Sequence, residues 1–207
     1  MNEQQLLFMD FEFTMAESGK RRGFVPEIIE AGIVVVREGK IVEQFSSFVQ
    51  PKLFPKLSER CKTFLKISQE QVNHGITFEE LYEQMKKWDE FGPSRIVTWG
   101  NMDMKVLRDH CEREEVPFPL DARFIDLSME YKRFFGDRNQ TGLWKAIQEY
   151  GKEGVGHHHR ALDDALTTYH IYRLFERDKQ YLKKSDPPTI GDRVDLQQLL
   201  NYISFGQ

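Results

Sequence analysis

The segment that most constrains the fold is residues 6–14 (LLFMDFEFT), an apolar run that carries two acidic residues, Asp10 and Glu12. Short apolar runs bounded by polar residues are typical of a buried β-strand rather than a helix. Because residues two apart on a strand project from the same face, the two carboxylates should lie side by side. Adjacent carboxylates repel each other, and a divalent cation such as Mg²⁺ or Mn²⁺ would remove that cost. The segment therefore predicts a metal-binding strand, with a solvated strand end as the alternative.

The pattern around this strand predicts an α/β fold. A β-branched run at 28–36, a turn at 38–39 and a second run at 41–49 indicate a hairpin, which gives three antiparallel strands with the first. Short strands are predicted at 95–99 and 123–127. Helical patterns fall between and after them, at 58–65, 68–72, 77–92, 102–114, 128–135, 141–150 and 159–178. We expect a mixed β-sheet, three antiparallel strands and then parallel strands, flanked by helices.

The length of 207 residues suits one domain with a small appendage. We predict a domain at 1–180 and a C-terminal linker with a short helix at 181–207. Pro187 and Pro188 interrupt regular structure there, and residues 194–202 follow as an amphipathic run. The role of this tail does not follow from its composition.

Charge and cysteine content exclude several classes of protein. The net charge of −4 argues against a protein that coats DNA non-specifically, although local basic patches remain compatible with nucleic acid. One such patch is the polar loop at 16–23, which could reach a phosphate chain. Cys61 and Cys111 have neither metal-ligand spacing nor a disulfide framework. The N-terminus has no signal-peptide or membrane-span pattern, so we expect a cytoplasmic protein without membrane contact.

Further acids follow other predicted elements. Asp103 comes after the strand that ends at Trp99, at the start of a helix, where an ordinary first-turn acid is the alternative. Asp163 and Asp164 lie near the start of the last long helix, directly after the three histidines at 157–159. There the alternative is a capping and charge-pairing cluster. Each acid alone is weak evidence for a functional site. Because strand ends and helix starts meet at one edge of an α/β sheet, the acids together are stronger evidence.

The three motifs together resemble the DEDDh group of 3′-5′ exonucleases. They are Asp10 and Glu12 on the first strand, Asp103 in WGNMD, and HRALDDA at 159–165. The resemblance covers roughly residues 6–174 and implies an RNase H-like fold, with four acids that hold two divalent metal ions, Mg²⁺ or Mn²⁺. It implies hydrolysis of phosphodiester bonds with release of nucleoside 5′-monophosphates. The implied metal ligands are Asp10, Glu12, Asp103 and Asp164, and the implied catalytic residues are these four and His159.

Residues 98–101 (TWGN) and 138–141 (RNQT) resemble the exoribonuclease branch that trims the 3′ ends of histone mRNA and small RNAs. Within it, the chain looks close to the bacterial KapD-type proteins, described as inhibitors of a sporulation kinase pathway. This implies single-stranded nucleic acid, RNA preferred, as the substrate, and a protein partner in that pathway. The residues expected to bind the substrate are Phe13, Thr14, Trp99 and Asn101. Core packing explains Phe13 equally well.

The histidine motif has two registers, because His158 precedes Asp163 by the same five residues that separate His159 from Asp164. Only the second register places the small and apolar residues at 161, 162 and 165 where the family has them. We therefore predict His159 and Asp164, with His158 and Asp163 as the alternative.

Two other functions compete with a nuclease. The strand ending in DFEFT resembles the Asp-x-Asp-x-Thr motif of haloacid dehalogenase-type phosphatases, in which Asp10 would be a nucleophile and His159 and Asp164 would have no role. A non-catalytic protein that inhibits a kinase pathway by contact is the third hypothesis, and the intact set of acids argues against lost catalysis.

Overall fold

The computed structural model of the protein describes residues 5–17 and 23–183. The centre of the basic loop at 16–23 and the tail helix at 194–202 lie outside these ranges, and the predicted division into 1–180 and 181–207 stays a prediction. The chain forms two compact units, Met1–Tyr172 and Arg173–Gln207. The first contains the sheet. In the second, the described residues continue the last helix, where Lys179 pairs with Glu176 at 2.6 Å.

Five strands form one mixed sheet in the order β3-β2-β1-β4-β5. They are β1 (Gln5–Phe13), β2 (Ile28–Arg37), β3 (Lys40–Phe48), β4 (Ser94–Thr98) and β5 (Ala122–Asp126). The first three pair antiparallel, and β4 and β5 run parallel to β1, which confirms the predicted fold class. β2 is buried from its first residue to its ninth, since both faces of a central strand are covered.

Seven helices occur among the described residues. They are α1 (Glu59–Leu65), α2 (Gln69–Asn73), α3 (Phe78–Asp89), α4 (Met102–Arg113), α5 (Leu127–Phe135), α6 (Leu143–Glu149) and α7 (Ala161–Lys183). Ser58 accepts a hydrogen bond from the Cys61 N–H, and Ser68 and Thr77 form capping boxes, as Ser and Thr do at helix starts. α7 begins two residues later than predicted, because His159 has left-handed backbone geometry.

Alternate side chains of β1 enter different layers. Leu7, Met9 and Phe11 pack into a core with α3 and α4. Phe8 points the other way and contacts Tyr169 of α7, with ring centroids 5.2 Å apart. Because strand side chains alternate, Asp10 and Glu12 share the α7 side with Phe8. Across residues 5–17 and 23–183, the helices are too short or too polar to cross a bilayer.

Candidate active site

Asp10 and Glu12 lie at the carboxyl end of β1, where regular pairing with β2 stops. Their partners on β2 are Gly32 and Glu30, respectively. The register shifts between Glu12 and Phe13, so the strand becomes irregular directly after the acid pair. Both carboxylates are therefore held on a regular strand but stand at its open end.

Asp103 reaches the same place from the first turn of α4. The helix follows β4, the parallel neighbour of β1, and Asp103 Oδ1 accepts a hydrogen bond from the Phe11 backbone N–H at 2.9 Å. That N–H lies between Asp10 and Glu12 in the chain, so the bond fixes Asp103 against the acid pair. Asp103 is 6% exposed, and burial raises its pKa to about 7 even though the hydrogen bond from Phe11 lowers it.

Gly32 determines how closely α7 approaches the acids, and the sequence pattern did not point to it. A Cβ atom at this position would lie 2.1 Å from the carbonyl carbon of Ala161, the first residue of α7. Because Gly32 pairs with Asp10, the contact brings the start of α7 directly beside that carboxylate. The available signal was a glycine inside a β-branched run, which often marks the close approach of another backbone.

The predicted acids converge. Carboxylate oxygens of Asp10, Glu12 and Asp164 lie within 4.8 Å of one another. Asp103 is close enough to be the largest cause, after burial, of the raised pKa of Asp10. The acids lie in a cleft of about 240 Å³ that three other predicted site residues also line, namely Phe13, Trp99 and His159.

Repulsion and burial disfavour the ionised form of this cluster. Burial, followed by the charges of Asp103 and Asp164, raises the pKa of Asp10 well above its ordinary value. Burial and then Asp164 raise the pKa of Glu12 to about 8, against the opposing charge of Arg160. Burial also raises the pKa of Asp164. A convergent set of oxygen ligands that repel one another fits a hard divalent cation, which favours the ionised forms.

These shifts predict how the stability of the metal-free protein depends on pH. In an unfolded chain Glu titrates near ~4.3 and Asp near ~3.9, well below the folded pKa of about 8 for Glu12 and about 7 for Asp103. Between these values the native state binds more protons, so the free energy of unfolding falls as the pH rises. We expect the melting temperature in EDTA to fall from about pH 5 to about pH 8 and to level off above the folded pKa values. The part of this fall between about pH 7 and about pH 8 lies above the titration of unfolded histidine near ~6.5.

Metal should oppose this loss. Mn²⁺ at about 100 times its dissociation constant should add roughly 2.7 kcal/mol to the free energy of unfolding, and the shift in melting temperature should be larger at the upper end of the pH range because the ligands bind metal when ionised. Asp10→Asn is the matched variant. It should reduce both the fall of the melting temperature with pH in EDTA and the rise of the melting temperature with Mn²⁺. The metal site would be contradicted if the melting temperature in EDTA did not change with pH and Mn²⁺ did not raise it.

His159 lies two residues before the start of α7 and has a backbone φ of 63°. Its N–H donates to Asp164 Oδ2 at 3.1 Å, and its Nδ1 lies 3.7 Å from Glu12 Oε1. The ring packs against Phe64. Burial lowers the pKa of His159, and the positive charges of neighbouring side chains, first His158, lower it further. The imidazole is therefore neutral at neutral pH and can accept a proton.

The two adjacent aspartates of α7 have different partners. Asp163 Oδ2 accepts a hydrogen bond from the His157 N–H at 2.8 Å, and a Cβ atom on Gly156 would lie 2.1 Å from the same oxygen. Asp163 thus stabilises the loop before α7, whereas Asp164 lies with Asp10 and the other acids. This placement favours the register of His159 and Asp164.

Two residues for which the sequence predicted no role hold these groups in place. Trp144 on α6 donates its indole N–H to Asp164 Oδ1 at 2.7 Å. Arg160 donates from Nε to the His159 carbonyl at 2.6 Å and from Nη2 to the last carbonyl of α1. Its Nη1 lies 3.2 Å from Glu30 Oε2. Such outer contacts orient ligands and depend on the tertiary fold.

The four residues expected to bind substrate line three neighbouring clefts. Phe13 and Trp99 line the cleft that contains the acids. Thr14 lines a neighbouring cleft of about 340 Å³, and its hydroxyl accepts a hydrogen bond from the Glu27 N–H at 2.9 Å. Asn101 lines a third cleft of about 270 Å³, together with Trp99.

Comparisons with known proteins agree with this geometry. A model of the exonuclease family (RNase_T) matches residues 7–172. The chain is 56% identical over 202 residues to the probable 3′-5′ exonuclease KapD of Bacillus subtilis, covering 97% of this chain and 98% of KapD. It is 32% identical to the ERI1 exoribonuclease 2 of Mus musculus, covering 79% of this chain and 27% of that protein.

A solved structure gives the same result. The nuclease domain of 3′hExo, described as a DEDDh family member bound to rAMP, superposes with a TM-score of 0.76 at 28% identity, covering 85% of this chain and 93% of that domain. The fold is therefore the RNase H-like fold of that group. From its sheet, its converging acids and these matches, the chain belongs to the exonuclease family.

Proposed function

We propose that this chain is a metal-dependent 3′-5′ exoribonuclease that releases nucleoside 5′-monophosphates from single-stranded RNA, with single-stranded DNA as a second substrate to be tested. The observation that carries the proposal is the convergence of Asp10, Glu12 and Asp164 within 4.8 Å, beside a histidine with a lowered pKa. The preference for RNA is supported by the names of the relatives, which include an exoribonuclease.

The proposed ligands are Asp10, Glu12, Asp103 and Asp164. Ionised, they carry four negative charges, which two Mg²⁺ or Mn²⁺ ions would balance. Bound divalent ions stabilise charge on the attacking and leaving oxygens of an in-line displacement. The protein's part is to hold the carboxylates in register, through the strand pairing of Asp10 with Gly32 and the hydrogen bond from Phe11 to Asp103.

His159 is the proposed proton acceptor. A water oxygen bonds to phosphorus as its proton passes to a nitrogen of the imidazole, and the bond from phosphorus to the 3′-oxygen of the preceding nucleotide breaks. That oxygen takes up a proton, so the products are a shortened RNA with a 3′-hydroxyl and a nucleoside 5′-monophosphate. The contact with Glu12 Oε1 at 3.7 Å and the N–H bond to Asp164 hold the ring at the acid cluster.

Phe13 and Trp99 are the proposed contacts for the terminal bases, because aromatic rings that line the cleft can stack on any base. Thr14 and Asn101, in the neighbouring clefts, are proposed to contact the strand further from the reacting phosphate.

Of the competing hypotheses, the phosphatase is dropped and the protein partner stays a prediction. A haloacid dehalogenase-type phosphatase gives Asp164 no role, although this residue lies at the acid pair, so we do not retain it. The protein partner in a sporulation kinase pathway, with a regulatory role in sporulation, and the cytoplasmic location stay predictions.

The test uses single-stranded RNA and DNA of one sequence, each labelled at one end. With Mg²⁺ or Mn²⁺, RNA labelled at its 5′ end should shorten stepwise, and RNA labelled at its 3′ end should release labelled mononucleotide at once. Faster cleavage of RNA than of DNA supports the proposed preference. Internal fragments without mononucleotide, or release of the 5′ label first, would overturn the proposed polarity.

A further inference from the structure

We propose that His158, His159 and Asp164 form a transition-metal site that overlaps the proposed magnesium site, takes Zn²⁺ and inhibits the nuclease. The binding itself is independent of the proposed function, and only the inhibitory consequence rests on it. His158 belongs to the histidine run at 157–159, and the proposed mechanism gives its side chain no task.

The site consists of two nitrogen ligands and one oxygen ligand. Donor atoms of His158, His159 and Asp164 lie within 4.8 Å of one another. The two imidazoles stack with centroids 3.9 Å apart and planes inclined by 19°. His158 is exposed, with its ring centroid 5.1 Å from that of Trp144, whereas Asp164 is 5% exposed. Metal can therefore enter from the side of His158.

Asp164 is already oriented as a ligand. Its Oδ1 accepts from the Trp144 indole N–H at 2.7 Å, and its Oδ2 accepts from the His159 backbone N–H at 3.1 Å. Each carboxylate oxygen retains a further lone pair for a metal ion. Outer hydrogen bonds of this kind fix the orientation of ligands in metal sites.

The donor set determines which metal binds. Mg²⁺ takes oxygen ligands in octahedral geometry, whereas imidazole nitrogen favours Zn²⁺ and its neighbours in the transition series. Zinc–nitrogen bonds of about 2.0–2.1 Å in a tetrahedron place ligand atoms roughly 3.4 Å apart, so a rotation of the exposed His158 ring brings the donors into range. Water completes the four ligands.

Occupancy of this site would stop the reaction by two routes. Zinc on His159 uses the lone pair that accepts the proton from water, and zinc on Asp164 competes for one of the four proposed magnesium ligands. Saturating Mg²⁺ would not fully reverse the effect, because Mg²⁺ does not compete for imidazole. The site thus makes the enzyme sensitive to zinc even when Mg²⁺ is saturating.

The first arm of the test measures binding without RNA. Zinc affinity is determined by competition with a chromophoric zinc indicator for the wild type, His158→Ala and the matched control His157→Ala, whose ring lies outside the cluster. Loss of an outer hydrogen bond costs about 10–100-fold in metal affinity, so loss of the ligand His158 should cost roughly tenfold or more. His157→Ala should bind zinc as the wild type does.

The second arm measures inhibition, with zinc titrated into the magnesium-supported digestion of RNA. His158→Ala should keep its zinc-free turnover within a few-fold of wild type, and its inhibition constant for zinc should rise by the same factor as its dissociation constant. Equal zinc affinity in wild type and His158→Ala would overturn the site, since zinc would then bind the carboxylates alone. Weaker binding without weaker inhibition would overturn the inhibitory role.

Discussion

Asp10→Asn should lower turnover on single-stranded RNA by about 10³-fold or more, while the protein remains folded. Metal ions contribute several kcal/mol of charge stabilisation, and each 1.36 kcal/mol is a tenfold change in rate. After burial, four neighbouring carboxylates raise the pKa of Asp10, namely Asp103, Asp164, Glu12 and Glu30. Its amide would remove one of the proposed ligands from the centre of the cluster.

The same substitution should have the opposite effect on metal-free stability. Because Asp10→Asn removes one member of a set of repelling carboxylates, the melting temperature in EDTA should equal or exceed that of wild type at about pH 8. The matched control is Asp163→Asn, which keeps an oxygen that can accept the His157 N–H and should retain activity. Wild-type turnover that persists in excess EDTA, or an Asp10→Asn variant as active as wild type, would contradict the role of the acids.

His159→Ala should reduce turnover by about 10²–10⁴-fold, the range for losing a general base, and leave the binding of Mn²⁺ and RNA largely intact. Wild-type turnover should fall as the pH drops below the pKa of His159, because imidazolium cannot accept a proton. Burial lowers that pKa, so the decline should begin below the ordinary value near ~6.5. Turnover at saturating RNA, measured against pH for both proteins, checks this.

His158→Ala separates the two registers of the histidine motif. The turnover of His158→Ala on RNA should stay within a few-fold of wild type when zinc is absent, because Asp164, and not Asp163, lies with Asp10 and Glu12. If His158→Ala were the inactive variant and His159→Ala retained activity, the base and the last ligand would be His158 and Asp163.

The sequence predicted those parts of the site that depend on local periodicity. Asp10 and Glu12 follow from the alternation of a strand, and Asp103 from its position at a strand-to-helix junction. The packing of α7 on Gly32 brings Asp164 to the strand, and this depends on two backbones far apart in the chain. The hydrogen bond from Trp144 to Asp164 likewise joins two helices, and no spacing rule within one helix encodes it.

Thr14 is a further residue whose side-chain direction depends on tertiary contacts. Its position after the acid pair predicts a substrate contact, and in the structure its hydroxyl oxygen accepts a hydrogen bond from the Glu27 N–H. That partner lies beyond the loop that follows β1, so the direction of the side chain depends on how the chain returns to start β2. A sequence motif specifies which residue occupies a position, but contacts with neighbouring residues determine the rotamer of its side chain.

The closure of the acid cluster by the first strand and the last helix has a kinetic consequence. Asp10 and Asp164 lie near opposite ends of the matched exonuclease region, residues 7–172, so the cluster is incomplete until almost all of that region has been synthesised. Contacts between such distant segments form late, since a long loop must close before they contribute free energy. A nascent chain that lacks Asp164 therefore lacks the complete acid cluster that the proposed hydrolysis requires, so under that proposal it would not degrade the message from which it is being translated.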